Sequence, residues 1–246
     1  MYDDKSSFND PDFQQFFLAL RRREIKHTKE LNIDIKPVVD YFRQQGENES
    51  LSTVVLTQKL CWLLGTCGFL RPNDIMCIDL SNDKFHLDRI TAVLPILIPK
   101  ETRGGNVVNR ICRYTTVKSH DDTLLCPVKT LTEYLRRIQG HDIDVPHPKD
   151  ASIRYRPLLR DVRDPSRHVG AERISNHIAF ISRKLNLPKD AKLPKARAIG
   201  STAAIKQGAR VDDVVVHGNW SSSVLFDKFY RLNAATATNF TSMVLS

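Results

Sequence analysis

Apolar positions recur at helical spacing over most of the chain and alternate only in one central stretch. Asp10-Pro11 is a good cap and first-turn pair. Phe13, Phe16, Phe17 and Leu20 follow at helical spacing, ahead of the basic run Arg21-Arg22-Arg23. This predicts a helix over 11–31 whose polar back half packs by one edge only or needs a partner. Pro37 opens a second helix with Val38, Val39, Tyr41 and Phe42, stopped by Gly46. Ser52 opens a third over about 53–67, with Val55, Leu56, Leu60, Leu63 and Leu64 as its stripe. A short helix starts at Arg71-Pro72-Asn73-Asp74.

The period then changes. Phe85-His86-Leu87, Thr91 to Ile98 and Ile111 to Val117 read as strands, with Gly104-Gly105-Asn106 as the turn between the last two. Cys126-Pro127 begins a helix that runs to Gly140 through Leu131, Tyr134, Leu135 and Ile138. Residues 141–169, rich in Pro, Asp, His and Arg, read as a loop. Helices resume at 171–186, 197–208, 211–217 and 222–231, and the last 15 residues suit a short tail helix. The sum is an α+β fold, mainly helical, with a small antiparallel sheet.

Charge adds a partner class. The 246 residues hold 37 Lys and Arg against 28 Asp and Glu, a net +9, which favours a polyanionic partner such as nucleic acid. The five cysteines (61, 67, 77, 112, 126) are odd in number and contain no CxxC pair, so neither a disulfide framework nor a zinc ribbon is expected, and a reduced compartment fits best. Cys61 and Cys67 are expected in the core. The start, MYDDKSSFND, is acidic and polar, unlike a signal peptide, and no apolar run reaches membrane-spanning length.

Five residues at element edges carry candidate chemistry: Arg71, Lys100, Arg197, Trp220 and Tyr230. Arg71 follows a strongly apolar helix, where its burial is costly without an anion or carboxylate, and Asp74 could supply the carboxylate. Lys100 ends the apolar strand LPILIPK. Arg197 enters the small-residue helix AIGSTAA, which could let it approach a phosphate closely. Tyr230 lies in FDKFYRL.

The stretch RAIGSTAAIKQGARVDDVVVHGNWSSSVLFDKFYRL, with LTQKLCWLLGTCGFLRPNDIMCIDL upstream, resembles the catalytic domain of tyrosine recombinases, the phage-integrase family. Its flavour is that of crypton and DIRS mobile elements of fungi, and it covers roughly residues 35–232. The resemblance implies an arm or helix at 1–33, too short for a full core-binding domain, followed by a catalytic domain at 34–246 with a short tail. It also implies breakage and rejoining of double-stranded DNA through a 3′-phosphotyrosyl link. Arg71 and Arg197 then match the two catalytic arginines, Asp74 the acidic residue after the first, Lys100 the hairpin lysine, Trp220 the His-or-Trp position and Tyr230 the nucleophile. Two guanidinium groups suit a phosphodiester because their donor forks match its non-bridging oxygens. Neither metal nor other cofactor is implied. Neither membrane nor small-molecule substrate is expected; oligomerisation on DNA is, with Arg103, Arg154 and Arg156 among its contacts. The mobile-element reading implies the nucleus; otherwise the cytoplasm or nucleoid is implied.

The family's usual histidine before the second arginine is replaced by Pro194, and Lys195 could stand in part for it. A shifted register would put Gly200 at the arginine position, but it spoils the spacing to Gly208 and Trp220. Two alternatives stay open: a recombinase relic that only binds DNA, and a relaxing type IB topoisomerase. His217 falls outside the family register and is expected to be structural or on the surface. Arg154, Arg156, Arg160, Arg163 and Arg167 read as a solvated face or as phosphate contacts.

Overall fold

The structure, a computed structural model, describes residues 10–23, 31–99, 111–233 and 243–244. Helix α1 (Pro11–Arg23) begins where expected, and residues 24–30 of the 11–31 reading lie outside the described ones. It leaves Phe13, Phe16, Phe17 and Leu18 exposed. Helix α2 (Lys36–Gln45) buries Val38 and Phe42 and stops at Gly46, whose φ of 83° favours glycine. Helix α3 (Thr53–Cys67) is started by Ser52, whose hydroxyl accepts the Val55 N–H at 3.3 Å. From Leu56 to Thr66 α3 is buried on every side, so it forms the axis of the domain.

Helix α4 (Pro72–Met76) leads to a three-stranded antiparallel sheet of β1 (His86–Leu87), β2 (Thr91–Leu97) and β3 (Cys112–Lys118), with β2 in the middle. Ala92, Leu94 and Ile96 alternate inward from β2, and Leu94 stands opposite Thr115. The Gly104-Gly105-Asn106 turn, with Lys100 and Arg103, lies outside the described residues. Helix α5 (Pro127–Ile138) follows. The 141–169 segment is not a plain loop: β4 (Val145–His147) and β5 (Asp150–Tyr155) form an antiparallel hairpin there. Each strand is short and half-exposed, which is why its polar composition reads as loop.

Helices α6 (Ala171–Ser182), α7 (Ala196–Lys206), α8 (Val211–Gly218) and α9 (Ser223–Phe229) complete the domain. The expected tail helix falls largely outside the described residues. Helix α3 packs on α5, α6 and α7. The main core gathers Leu56, Leu60 and Leu64 with Ile75, Leu131, Ile178 and Ile199. A second, smaller core joins Phe69, Val214, Trp220 and Phe226. No helix among the described residues is long and apolar enough to cross a membrane.

Small residues set the α3–α7 contact. A Cβ added to Gly200 would fall 1.9 Å from the Thr66 carbonyl oxygen, and one added to Gly65 would fall 2.9 Å from the Ala196 Cβ. The glycine of the AIGSTAA segment therefore serves the packing of α7 on α3. Gly200→Ala is expected to cost about 3 kcal/mol, the upper range for overpacking, read from chemical denaturation.

Two other sequence readings change. Cys67 is exposed at the end of α3, whereas Cys61 is in the core. Arg160 is buried rather than solvated, and its side chain donates to the Pro157 carbonyl.

A charge cluster fastens the turn before α3. Glu133 on α5 accepts from Arg136 and Arg137, each at 2.7 Å, and Arg137 donates to the carbonyls of Leu51 and Asn48 at 2.7 and 2.9 Å. The Arg136 hydrogen bond and then that of Arg137 outweigh burial and hold the Glu133 carboxyl down at about 2 from an ordinary 4.5. The stabilisation is therefore complete above pH 4.5 and is lost as pH falls toward 2. Glu133→Gln should cost about 2 kcal/mol at neutral pH, the scale of a charge-assisted hydrogen bond. Thermal unfolding of variant and parent should converge near pH 2.

Candidate active site

Arg71 is the residue before Pro72, which holds it extended (φ −82°, ψ 159°) at the N-cap of α4. Asp74, fully buried in the first turn, accepts the Arg71 backbone N–H at 3.0 Å and lies 3.8 Å from its guanidinium. The carboxylate thus fixes both the backbone and the head of Arg71. From there Arg71 Nη2 donates to the Tyr230 hydroxyl at 3.3 Å.

Arg197 enters from the first turn of α7, just after Lys195 at the N-cap. It is only 2% exposed, an unusual burial for an arginine. Its guanidinium lies 4.1 Å from the centre of the Trp220 ring and 4.7 Å from that of Tyr230, and Nη2 donates to the Gly218 carbonyl at 2.6 Å. A guanidinium lying over two adjoining aromatic rings is a use that lysine does not match.

Trp220 is placed by the end of α8. Asn219 turns into the left-handed region (φ 52°, ψ 51°), and the Trp220 N–H reaches back to the Val215 carbonyl at 3.0 Å. The indole folds over Gly218, where an added Cβ would come within 1.8 Å of the ring. The indole N–H is buried and meets no acceptor among the described residues. A buried donor of this kind costs free energy until an acceptor meets it.

Tyr230 follows α9, which Ser222 caps through the Leu225 N–H at 3.2 Å. Its ring packs on Trp220 at 5.1 Å, and Phe226 buttresses Trp220 at 4.8 Å. Thr202 of α7 donates to the Tyr230 carbonyl at 3.4 Å and accepts the Leu232 N–H at 3.0 Å, so the nucleophile candidate is tied to the helix that carries Arg197. Burial pushes the Tyr230 phenol up, but the Arg71 hydrogen bond and the charges of Arg71, Arg197 and Lys195 outweigh it. The net pKa lies below the ordinary 10.

Arg71, Arg197, Trp220 and Tyr230 therefore meet in one place although 159 positions separate the first from the last. Asp74 and Lys195 flank them, and Pro194 occupies the coil before Lys195. Lys100 and Arg103 lie outside the described residues. Arg154 and Arg156 pair instead with Asp144 and Asp142 beside the β4–β5 hairpin. At the position that the shifted register would use, Gly200 faces the α3 backbone, which leaves no room for a side chain. Sequence reading missed Thr202, Phe69 and Gly218. The one local signal was the HGNW turn, whose Gly-Asn pair marks a helix stop. No group of three or more His, Cys, Asp or Glu among the described residues could hold a metal ion.

No protein-family model matches the sequence, and no curated protein matches it. Solved structures do match in fold. XerA recombinase is 12% identical with a TM-score of 0.54, over 96% of this chain and 83% of that one. A lambda integrase dimer bound to a COC′ core site is 11% identical with a TM-score of 0.54, over 90% of this chain and 66% of that one. The Tn1549 transposon integrase in complex with circular intermediate DNA is 11% identical with a TM-score of 0.51, over 94% of this chain and 74% of that one. At such identities the likeness establishes architecture, and the architecture of this chain is that of a tyrosine-recombinase catalytic domain.

Proposed function

We propose that the chain is a tyrosine recombinase domain that breaks and rejoins double-stranded DNA, of the kind found in crypton and DIRS mobile elements and acting in the nucleus. The observation that carries this reading is the convergence of two arginines and an indole donor on one tyrosine of lowered pKa. Arg71 and Arg197 neutralise the non-bridging oxygens of the scissile phosphate and the charge that grows on them. Trp220 gives its unused N–H to one of those oxygens. The Tyr230 oxygen attacks phosphorus as the bond to the 5′-oxygen breaks, leaving a 3′-phosphotyrosyl link. Lys100 protonates the departing 5′-oxygen. Lys195 adds positive charge near the phenol and so favours its ionised form. The neighbours named as DNA-bound, one of them a dimer, support duplex DNA as partner and assembly on it. Arg103 is a further phosphate contact in this reading, and so are Arg154 and Arg156 once they exchange Asp144 and Asp142 for phosphate.

A nicked duplex that loses its 5′-hydroxyl strand after cleavage tests this directly. A protein–DNA adduct that survives denaturant, and that forms equally in EDTA, is the expected product. Adduct formation that is lost in EDTA and restored by magnesium would point to a metal nuclease instead. Pro194, at the position of the usual histidine, favours a second reading in which the chain binds DNA without cutting it. Duplex binding with no adduct is the outcome that selects it.

A further inference from the structure

His217 is in the last turn of α8, three residues before Trp220, and its Nε2, its ring and its carbonyl are all engaged at the wall of the site. Its Nε2 lies 2.9 Å from the Cys67 carbonyl, one of the last carbonyls of α3, which have no partner within the helix. A carbonyl only accepts, so Nε2 carries the proton. The imidazole stands edge-on to Phe69 at 4.8 Å and 87°, and Phe69 in turn touches Trp220 at 6.0 Å. Phe69 is held at φ 50°, a conformation that a bulky residue keeps only when its surroundings fix it. The His217 carbonyl accepts from Arg113 of β3, and the next carbonyl, that of Gly218, accepts from Arg197.

We infer that His217 is a positioning residue: it locks the end of α8 to the end of α3 and so sets Arg197 and Trp220 at their distance from Arg71 and Tyr230. Cys67 lies four residues before Arg71, with strained Phe69 midway, so the Cys67 carbonyl is the nearest helical anchor on the Arg71 side. Gly218 is adjacent to His217 and holds the guanidinium of Arg197. A single imidazole therefore ties the segment that leads to Arg71 to the turn whose carbonyl holds Arg197. This role rests on the reading of the four side chains as the reactive site, but its consequence for Tyr230 does not need DNA. The charges that face the phenol are Arg71, Arg197 and Lys195, and if the two arginines drift, the phenol titrates closer to an ordinary tyrosine.

Three variants separate the parts of the contact. His217→Phe keeps a ring against Phe69 without a donor, His217→Asn keeps a donor too short to reach Cys67, and His217→Gln places an amide N–H where Nε2 was. Phenolate absorbance is followed against pH for each, with and without Tyr230→Phe, and the difference is the Tyr230 curve. The Phe and Asn variants are expected to move that curve up toward the ordinary tyrosine value, and Gln to leave it in place. On the nicked duplex, Phe and Asn should slow adduct formation on the order of 10²-fold, the scale of an ångström of misplacement, with Gln restoring it. A Tyr230 curve unmoved in both the Phe and the Asn variant overturns the role of His217. A parent protein that forms no adduct, while its Tyr230 curve shifts as expected in the variants, overturns the recombinase reading and leaves the positioning role supported.

Discussion

Tyr230→Phe is expected to fold like the parent, to keep its duplex affinity and to form no covalent adduct. The phenyl ring retains its packing on Trp220 at 5.1 Å and its place near Arg197, so little packing is lost. Arg71 still has Asp74 beside it, so the lost hydroxyl does not strand that guanidinium. Removal of a nucleophile in other covalent enzymes costs on the order of 10⁶ in rate, which here means background. Gel retardation reads the binding and denaturing electrophoresis on the nicked duplex reads the adduct. An adduct that persisted in this variant would assign the nucleophile to another side chain.

Arg197→Ala should be the most damaging change after that one, lowering adduct formation at least about 10²-fold, the scale for one preorganised donor to a charged transition state. Arg71→Ala should do the same. The two differ in their second effect. Arg197 is almost wholly buried against two rings and bound to Gly218, so its removal also opens a void and lowers stability. Arg71 is partly open to solvent, and its loss should spare the thermal midpoint more. Arg197→Lys keeps the charge but not the planar fork, and should not restore the rate. Single-turnover cleavage with thermal unfolding of the same samples gives both readings. Full activity in Arg197→Ala would remove the second cation from the mechanism.

Legibility in the sequence follows how local the determining physics is. Ser52, Pro37, Gly46 and Cys126-Pro127 are punctuation that acts within a few residues, and α2, α3 and α5 stand close to where that punctuation puts them. The catalytic candidates were legible only jointly, through the order and spacing of short boxes that a single Arg or Tyr does not display. What depends on contacts far along the chain was not visible. Gly200 reads as one more small residue of a helix, yet it is the point where α7 meets the Thr66 backbone. Cys67 continues an apolar stripe but falls in the turn where α3 runs out, which exposes it. The β4–β5 hairpin carries Pro146 and three acidic or basic residues in β5 and the turn before it, so no alternation marks it. Arg160 reads as one of a series of solvated arginines, and only the fold places it where its N–H meets the Tyr134 hydroxyl at 2.8 Å.

The helices that carry Trp220 and Tyr230 are anchored by the smaller core rather than the larger one. Phe69, Val214, Trp220 and Phe226 are few, and α9 leaves Val224 and Phe229 in solvent. Stability of this part is correspondingly low, and amide exchange there should proceed through openings that leave α3 and its neighbours protected. On the proposed reading, reactivity becomes a trait that can be switched off by detaching one small cluster, while the rest of the domain stays folded. If that reading holds, binding and cutting can drift apart under selection: a lineage can lose the second and keep the first by loosening a few aromatic contacts, without passing through an unfolded protein.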